Sequence, residues 1–539
     1  MNIPFWPDIL PGPLRDLDLS PVDVKASFEA DVGEPISRPR TTGAPFTAAA
    51  RFVLVGDQIK AFEDFYATTL GQGSTRFAMR DVTTGDLRMW RFTKAYSRQF
   101  PTKMRAVVGA ELMRLPGVPW FAPYVPVGSA AVPSYVADFA NGIYGKSGIK
   151  GSFASAVDFT RGSTATYWDS AGVMQTAAVD EPRLDHDPVT GAALGLLIED
   201  SRTNIILNSS AMDAATWSNV NTTVNANSAL APDRTATGDF LVENLDTAKA
   251  HDIFQTLTVS NGLRYTISGF FKSTGRGVIF FASSGWAANA FFDLQSGTVV
   301  SSGGTDFVSA SITDVGDGWW RASLTVDAPA DSSDARVLFR ISKDGAGKYD
   351  GDGAAGIRIW GAQTEVGGVA SSMIQTGASA VTRAFDVASA ATEGWLVQGQ
   401  GTVTVDAAWN NLFSDTPVGK FAYLMEGSGS NVQVNVNTND PTSLRAQVQA
   451  DSVLVLFSTF PLLSGQVNKL ATAYAQNDFA ASANGSAAAN DASGDTPTGL
   501  TLLRIGRAFN GDQWLNGHIS KLVYYPERLS DTVISGLTL

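Results

Sequence analysis

An adjacent pair of acidic residues is the first place in this chain to look for catalysis. Glu199 and Asp200 lie side by side in the segment GLLIEDSRTNIILNS, Gly195–Ser209. Two carboxylates can hydrolyse a glycosidic bond when they flank it from two sides. Neighbouring side chains on a strand point to opposite faces of the sheet, so these two acids would not flank one bond. We therefore expect no glycosidase centre here.

Other catalytic groups are scarce in the sequence. The chain has no cysteine and only three histidines, His186, His251 and His518, which lie in separate segments. A Ser-His-Asp triad needs an oriented imidazole beside the nucleophile, and a thiolate zinc site needs cysteine. The sequence also lacks the G-x-S-x-G, phosphate-loop and H-E-x-x-H motifs. We predict that the protein is not an enzyme and has no cofactor, with calcium as the one open case.

Three aspartates in a glycine-rich segment have the ligand chemistry of a calcium site. They are Asp344, Asp350 and Asp352, in SKDGAGKYDGDGAAG. Calcium prefers carboxylate and carbonyl oxygens, but the spacing here is not that of an EF-hand loop. Glycine and aspartate are also the residues that any tight turn favours. A calcium site and a plain turn are therefore both open.

Tryptophans next to amide and carboxylate side chains have the chemistry of a sugar-binding surface. Two clusters qualify: Trp286 with Asn289, and Trp514 with Asn510, Asp512 and Gln513. Trp286 lies in the small-residue segment SSGWAANA, so we expect it to be exposed in a loop. The other candidates are Trp319, Trp320, Trp360 and Trp409. A tryptophan in a strand belongs to the core more often than to a binding surface, so both roles stay open for these four.

The elements that would position these side chains are mostly strands. Glycine is abundant and only 17% of the residues are charged, which favours short strands and tight turns over long helices. In the central part the predicted strands are Asp252–Val259, Tyr265–Lys272, Val278–Ser283, Ala290–Asp293, Phe307–Val315, Trp319–Asp327, Val337–Ser342 and Gly356–Trp360. In the last part they are Gly401–Ala408, Phe421–Met425, Asn431–Val436, Ser443–Gln449, Val453–Thr459, Asn468–Gln476, Asp478–Asn484, Thr501–Arg507 and Ile519–Tyr525. We predict a mainly β, multidomain protein.

Residues 1–116 combine one helix with several strands. After a strand at Ala48–Val55, apolar residues recur at helical spacing: Ile59, Phe62, Tyr66 and Leu70. Gly71 and Gly73 follow the last of them, as at a helix end. Further strands are predicted at Thr75–Met79, Leu87–Thr93 and Met104–Leu112. The order β-α-β-β-β indicates a compact α+β or β-sandwich unit.

A proline-rich segment, Pro116–Pro133, follows this unit. Proline limits the backbone and cannot sustain a strand ladder, so the segment is expected to be an extended connector. Its aromatic residues indicate that it lies along a protein surface. The predicted domains are 1–116, a connector at 117–158, a jelly-roll module at 159–390 and a further sandwich at 391–539.

The pattern of the first unit resembles small minor tail proteins of long-tailed bacteriophages, which are similar to the core of distal tail proteins. The resemblance covers Phe28–Leu115 and rests on the "F-x-x-F-Y" helix, the Gly break and the "R-F-x-M" and "x-V-x-x-E-L" strands. It implies docking into a tail tip. Arg38–Thr47 (RPRTTGAPFT) would then be a loop that contacts neighbouring subunits; an ordinary surface loop is the alternative.

Two further resemblances concern the rest of the chain. The segments Ala165–Asp187, Gly195–Ser209 and Ile359–Asp386 resemble the sequences that bracket a carbohydrate-binding-like jelly-roll module of phage tail, fibre and adhesin proteins. The place of EDSRTN within them implies that Glu199, Asp200 and Arg202 make structural contacts. The ending LNGHISKLVYYPERLSD resembles the last part of a concanavalin A or laminin-G-like sandwich, in which His518 would be structural.

Together these resemblances imply a virion protein at the tail tip or baseplate, assembled in the host cytoplasm and present as a trimer or hexamer. Its partners would be other virion proteins and host cell-surface polysaccharide. The net charge is −13, with 15 Lys and Arg against 13 Asp and Glu in residues 1–116, so the acidic remainder disfavours nucleic acid as a partner. We expect no signal peptide and no membrane insertion. The alternatives are a purely structural fibre, spike or baseplate component, and a tail depolymerase.

Overall fold

A computed structural model describes the chain from residue 4 to residue 539, apart from residues 8, 15–16, 23–24, 29–35, 40–44, 83, 103, 117–118, 128, 130, 285, 329–330, 410–419, 438–439 and 509–512. Strands make up most of the regular structure, and the helices are short. The chain divides into two compact units, Met1–Tyr135 with Gly145–Gly151, and Val136–Tyr144 with Ser152–Leu539. The prediction of a mainly β, multidomain protein is confirmed.

The first unit is built on one antiparallel sheet. The strands between residues 18 and 114 are β1 (Asp18–Pro21), β2 (Lys25–Phe28), β3 (Ile36–Pro39), β4 (Phe46–Val55), β5 (Phe77–Arg80), β6 (Leu87–Phe92), β7 (Ser97–Thr102) and β8 (Arg105–Arg114). The sheet order is β1-β4-β8-β6-β5, with β7 also on β8, and β2 and β3 form a separate hairpin. The four predicted strands are β4, β5, β6 and β8. β7 was missed because all six of its residues are exposed, which leaves no alternation to detect.

The predicted helix of this unit is confirmed, with an unexpected end. Helix α1 (Asp57–Asp64) continues into a π-helical turn, Phe65–Thr69. Phe62, Tyr66 and Leu70 are buried in the unit's aromatic core. Gly73 then turns back at φ 75°, where a Cβ atom would lie 2.6 Å from the Tyr66 ring. A glycine is therefore required where the helix stops.

Regular structure also forms in and after the predicted connector. The aromatic residues Phe121 and Tyr124 are buried, as the expectation of a connector lying along a protein surface requires. The later part of the predicted connector, 117–158, contains β9 (Tyr135–Asp138), β10 (Ile143–Lys146), β11 (Ile149–Gly151) and the short helix α2 (Phe153–Ala156). The Arg38–Thr47 segment lies partly in β3 and β4 and partly outside the described residues, so its role stays a prediction.

The second unit contains further short strands ahead of its central sandwich. They are β12 (Asp158–Thr160), β13 (Ala165–Trp168), β14 (Met174–Ala177), β15 (Leu184–His186), β16 (Ala193–Ile198) and β17 (Arg202–Asn204). Each is three to six residues long, and three of them, β12, β16 and β17, pair with partners far along the sequence. Such strands have too little length for a clear alternation of side chains.

The central sandwich consists of two six-stranded sheets. Its strands are β18 (Ser218–Val220), β19 (Thr222–Ala229), β20 (Gly238–Glu243), β21 (His251–Val259), β22 (Arg264–Thr274), β23 (Val278–Ser284), β24 (Asn289–Asp293), β25 (Thr298–Gly303), β26 (Phe307–Asp314), β27 (Trp320–Asp327), β28 (Ser332–Ser342) and β29 (Gly356–Val366). One sheet has the order β18-β21-β28-β23-β24-β25 and the other β19-β20-β29-β22-β27-β26. All eight predicted strands of this module are present. The apolar core lies between the two sheets.

The C-terminal sandwich uses strands from both sides of the central one. Ahead of it, β30 (Val381–Arg383) pairs with β17 in a separate two-stranded sheet. The sandwich contains β31 (Val387–Ala391), β32 (Gly401–Trp409), β33 (Phe421–Gly427), β34 (Asn431–Asn437), β35 (Asp440–Ala450), β36 (Val453–Pro461), β37 (Asn468–Ala475), β38 (Asp478–Ala483), β39 (Ala489–Asp491), β40 (Leu500–Ile505), β41 (Gly517–Tyr525) and helix α3 (Asp531–Leu537). One sheet runs β12-β31-β40-β33-β34-β35-β36, and the other includes β41-β32-β37-β38-β39 with β16 on β41. The central sandwich is thus inserted, in chain order, between strands that pair with each other. All nine predicted strands of this part are present.

Within the part of the chain that the structure describes, no helix has the length and apolar character to cross a membrane.

Candidate functional site

The acidic pair Glu199 and Asp200 belongs to a buried ionic cluster. Glu199 accepts hydrogen bonds at 2.7 Å from both Arg183 and Arg383, and Asp386 accepts from Arg183 at 2.5 Å and Arg161 at 3.2 Å. The three arginine side chains are 0–1% exposed. The expected structural contacts of Glu199 are therefore confirmed.

Charge, rather than burial, sets the protonation state of Glu199. Burial by itself would raise its pKa, but Arg383 and Arg183 hold the pKa of this carboxyl well below its usual range. Hydrogen bonds from the backbone N–H and the hydroxyl of Ser372 act in the same direction. Glu199 is thus a fixed anion, which cannot supply the proton that a general acid must deliver.

The side chain of Asp200 has different partners from that of Glu199, as predicted, although β16 ends at Ile198 and the two acids lie just beyond the strand. Its carboxylate accepts a hydrogen bond from Arg202 at 2.8 Å and another from the Asn516 amide at 3.2 Å. The structural contacts expected of Asp200 and Arg202 are therefore also confirmed, and these two residues contact each other. His518 lies nearby in sequence to Asn516, and its Nε2 is 2.8 Å from Asp185 Oδ2, with both residues buried. Such a pair fits the structural role expected for His518.

The structure does not bring the three aspartates considered for calcium together into one group. Asp350 accepts from the backbone N–H of Ala248, and Asp352 accepts from two backbone N–H groups of its own turn and from Arg276. Asp344 lies at the turn after β28 with φ 53°. Among the described residues, no group of three or more histidine or acidic side chains is placed to hold a metal ion. The turn interpretation explains the positions of these residues.

The first predicted aromatic cluster is split by the fold. Trp286 is 4% exposed and stacks on Tyr265, with ring centroids 5.7 Å apart, inside the core of the central sandwich. The expectation that it is exposed in a loop is wrong, because its ring fills space between the two sheets. Asn289 is the first residue of β24 and is half-buried. Trp319, Trp360 and Trp409 are buried as well, which agrees with a core role.

The second aromatic cluster is only partly described. Trp514 is half-buried, donates from its Nε1 to the Asp386 carbonyl and lies against Phe385, with ring centroids 5.1 Å apart. Gln513 is half-buried next to it. Asn510 and Asp512 lie outside the described residues, so sugar binding by this cluster stays a prediction.

A different set of aromatic residues lies on the outer face of the central sandwich. Phe254 on β21, Phe280 on β23 and Phe291 on β24 are half-buried, and they share this face with Asn289 and with Arg340 on β28. We call these five residues the aromatic face. The strand register brings them together: Phe280 is opposite both Phe291 and Arg340. Residues directly opposite on paired strands project to the same side of a sheet.

Doubled phenylalanines in the sequence explain how this face arises. β23 contains Phe280-Phe281 and β24 contains Phe291-Phe292. Successive side chains on a strand alternate between faces, so each pair sends one ring inward and one outward. Phe281 and Phe292 are fully buried in the core. The doublets are the sequence signal for this face, and a prediction based on tryptophan alone does not include them.

The geometry of the aromatic face is fixed by contacts among its own residues. The Phe280 and Phe291 ring centroids are 4.3 Å apart, and the Arg340 guanidinium lies 5.3 Å from the Phe280 ring. Arg340 is held by two hydrogen bonds to Asp252, at 2.6 and 3.0 Å. Flat apolar rings with a few oriented polar groups form a surface on which an apolar face of a ligand packs while its hydroxyls bind at the edge.

A cleft of about 390 Å³ opens at one end of this sheet. Its lining includes Arg276, Asp293, Lys343 and Asp344. Arg276 pairs with Glu243, and this hydrogen bond raises the pKa of the guanidinium. Burial acts to raise the pKa of Asp293, but hydrogen bonds from Gln295 and Ser296 lower it overall. The cleft therefore offers fixed charges of both signs next to the aromatic face.

Comparisons with known proteins give only distant structural similarity. No protein-family model matches the chain, and no curated protein matches it. Similar solved structures include domain 4 of AbnA, a GH43 extracellular arabinanase from Geobacillus stearothermophilus in complex with arabinotriose, at 13% identity and TM-score 0.23, covering 29% of this chain and 73% of that one. Mouse laminin α1 domains LG4–5 match at 11% identity and TM-score 0.20, covering 52% and 85%. A Trypanosoma rangeli sialidase in complex with sialic acid matches at 11% identity and TM-score 0.22, covering 100% and 99%.

Proposed function

We propose that this chain is a structural virion protein of a tailed bacteriophage, located at the tail tip or baseplate, which binds host-surface glycan. Residues 1–116 dock into the tail tip, and the two β-sandwich regions are presented for binding. The phage assignment is supported by the sequence resemblances described above. The glycan assignment is supported by one structural observation, the aromatic face.

The aromatic face suits a sugar better than a purely apolar ligand. Its rings are interspersed with Asn289, Arg340 and the paired Asp252, and the exposed residues Thr256 and Arg336 border them. Arg336 lies 4.8 Å from the Phe254 ring, so the edge also carries a cation next to an aromatic surface. A sugar ring has apolar C–H faces and a hydroxyl rim, and both find complementary groups here.

Binding by such an open face is expected to be weak for one copy. A flat surface buries only part of a ligand, whereas tight small-molecule sites enclose most of it. Three or six copies on one particle would bind a repeating polysaccharide at several points, and the effective concentration of the later sites would raise overall affinity strongly. The proposed oligomeric state and the proposed ligand therefore fit each other.

Incubation with polysaccharide separates the proposal from its two alternatives. The purified full-length protein is immobilised and mixed with capsular polysaccharide and lipopolysaccharide O-chains from a panel of bacterial strains. The amount of polysaccharide retained by the protein and the chain length of the polysaccharide after incubation are both measured. Retention without shortening of the chains supports the proposal. Released oligosaccharides would indicate a depolymerase, and neither retention nor cleavage on any strain would indicate a purely structural role.

A further inference from the structure

A second cleft, of about 390 Å³, lies on the other sheet of the central sandwich. Its lining includes Arg234, Lys272, Asp317 and Arg358, with the buried ring of Trp319 beneath them. Lys272 is on β22 and Arg358 on β29, and these two residues are direct cross-strand partners. This cleft is separate from the aromatic face, which belongs to the opposite sheet.

The cleft holds positive charge that its own carboxylate does not balance. Lys272 donates to the backbone carbonyl of Asp317 at 2.5 Å, and Arg358 donates to the carbonyl and hydroxyl of Ser228 at 2.6 and 2.7 Å. Both cations therefore donate to uncharged oxygens, which do not neutralise their charge. The Asp317 carboxylate pairs with Arg234 instead. Among the residues described as lining the cleft, three cations face one carboxylate.

This arrangement costs stability in the free protein. Like charges directly opposite each other on paired strands repel. Lys272 and Arg358 are such a pair, in a chain whose overall charge is −13. An anion in the cleft would relieve the repulsion, and a guanidinium and an ammonium side by side match the two oxygens of a carboxylate.

We propose that this cleft binds an acidic sugar residue through its carboxylate. The inference rests on the proposed function, since it takes glycan as the ligand, and it adds the chemical class of that glycan. The acidic chain disfavours nucleic acid, and the cleft has room for one or two sugar rings rather than an extended polymer groove. Neutral polysaccharides would use the aromatic face alone.

The test compares trigalacturonate with its neutral methyl ester by calorimetry, using the full-length protein. We expect the acid to bind and its affinity to fall as sodium chloride rises, while the ester binds at least about tenfold more weakly. Lys272→Gln and Arg358→Gln should each weaken binding of the acid by about tenfold, and thermal melts should show that both variants are at least as stable as wild type. Arg264→Gln is the control, because Arg264 lies on the same strand, pairs with Asp327 and carries the same charge.

Several outcomes would overturn the inference. Equal affinity for trigalacturonate and its methyl ester would show that the cleft does not bind the carboxylate. Unchanged affinity of Lys272→Gln and Arg358→Gln for trigalacturonate would show the same. Binding of inorganic phosphate without binding of trigalacturonate would show an adventitious anion site only. If polysaccharide binding persists while the cleft variants behave as wild type, only this inference fails. If neither trigalacturonate nor any polysaccharide of the panel binds, the proposed function fails with it.

Discussion

Glu199→Gln tests whether the buried ionic cluster holds the second unit together. Glu199 compensates Arg183 and Arg383, whose side chains are almost fully buried. Neutralising it leaves three guanidinium groups, those of Arg161, Arg183 and Arg383, with one remaining carboxylate, Asp386, within the cluster. Breaking a buried ion pair from one side costs about 3–5 kcal/mol, because a charge is left without compensation. The unit has about 400 residues, so the expected fall in its melting temperature is roughly 5 °C if it unfolds as one.

The adjacent residue provides the control. Asp200 pairs with Arg202, but the two side chains are 25% and 15% exposed. A partly exposed pair contributes about 1 kcal/mol or less, so Asp200→Asn should lower the melting temperature by no more than about 1 °C. Calorimetry measures both variants, and hydrogen exchange of β15, β16 and β30 shows whether the loss is local. Equal effects of Glu199→Gln and Asp200→Asn would refute the reasoning.

The pH dependence of the same variant gives a second check. The pKa of Glu199 is lowered in the folded protein, so its stabilising contribution is fully present above the unfolded-state pKa, about 4.3. It is lost progressively as the pH falls below that value. The stability difference between wild type and Glu199→Gln should therefore be constant from pH 7 to about pH 5 and shrink in more acidic solution. A difference that grows below pH 4 would contradict this assignment.

Two further substitutions test the first unit and the central core. Gly73→Ala should destabilise the first unit by about 1–3 kcal/mol more than Gly85→Ala in chemical denaturation. Both residues have φ near 75°, so the backbone strain is the same. At Gly73 the new methyl group would meet the Tyr66 ring, whereas nothing lies within 4 Å of a Cβ atom at Gly85. Equal losses would show that the contact with Tyr66 is unimportant. Trp286→Ala should lower the free energy of unfolding, measured by thermal unfolding, by about 3–5 kcal/mol because it leaves a cavity in the core. Trp286→Phe should lower it far less, because it keeps an aromatic ring and the buried Nε1 that it removes has no hydrogen-bond partner among the described residues. A mild Trp286→Ala would indicate that the ring is not part of the core.

The sequence predicted those parts of the fold that depend on local pattern. Strands such as β21 and β32 are nine residues long, and polar and apolar side chains alternate along much of their length. Helix α1 has apolar residues at regular spacing followed by glycines. These signals lie within a single window of the chain, so they can be read without knowing what the element packs against.

Pairing between distant segments could not be predicted in this way. β16 pairs with β41, more than 300 residues later, and β12 pairs with β31. These strands are short, and their stability comes from partners that the local sequence does not specify. The insertion of the central sandwich between them is a property of that pairing. The same limit explains why Arg161, Arg183 and Arg383 were not linked to Glu199.

The candidate site shows the same division. A sugar-binding surface is expected to combine aromatic rings with amide and carboxylate groups. Asn289 is predicted from the sequence to belong to such a surface, and it lies on the aromatic face. Trp286 was wrongly expected beside it because small neighbours resemble a loop, although the ring fits between two sheets. Phe280 and Phe291 become neighbours only through the register of β23 and β24. Sequence alone carries no direct information on that register.

The most direct test of glycan binding is an equilibrium measurement on a variant of the aromatic face. Phe280→Ala with Phe291→Ala removes both central rings, while Phe457→Ala is a matched control, since Phe457 is 50% exposed and has Arg445 over its ring at 5.8 Å in the other sandwich. Each lost ring contact is worth about 0.5–1.5 kcal/mol, so the double variant should bind a retained polysaccharide of the strain panel about 10- to 100-fold more weakly. The control should bind as wild type does. Equal affinity of all three proteins for that polysaccharide would contradict the assignment of glycan binding to this face.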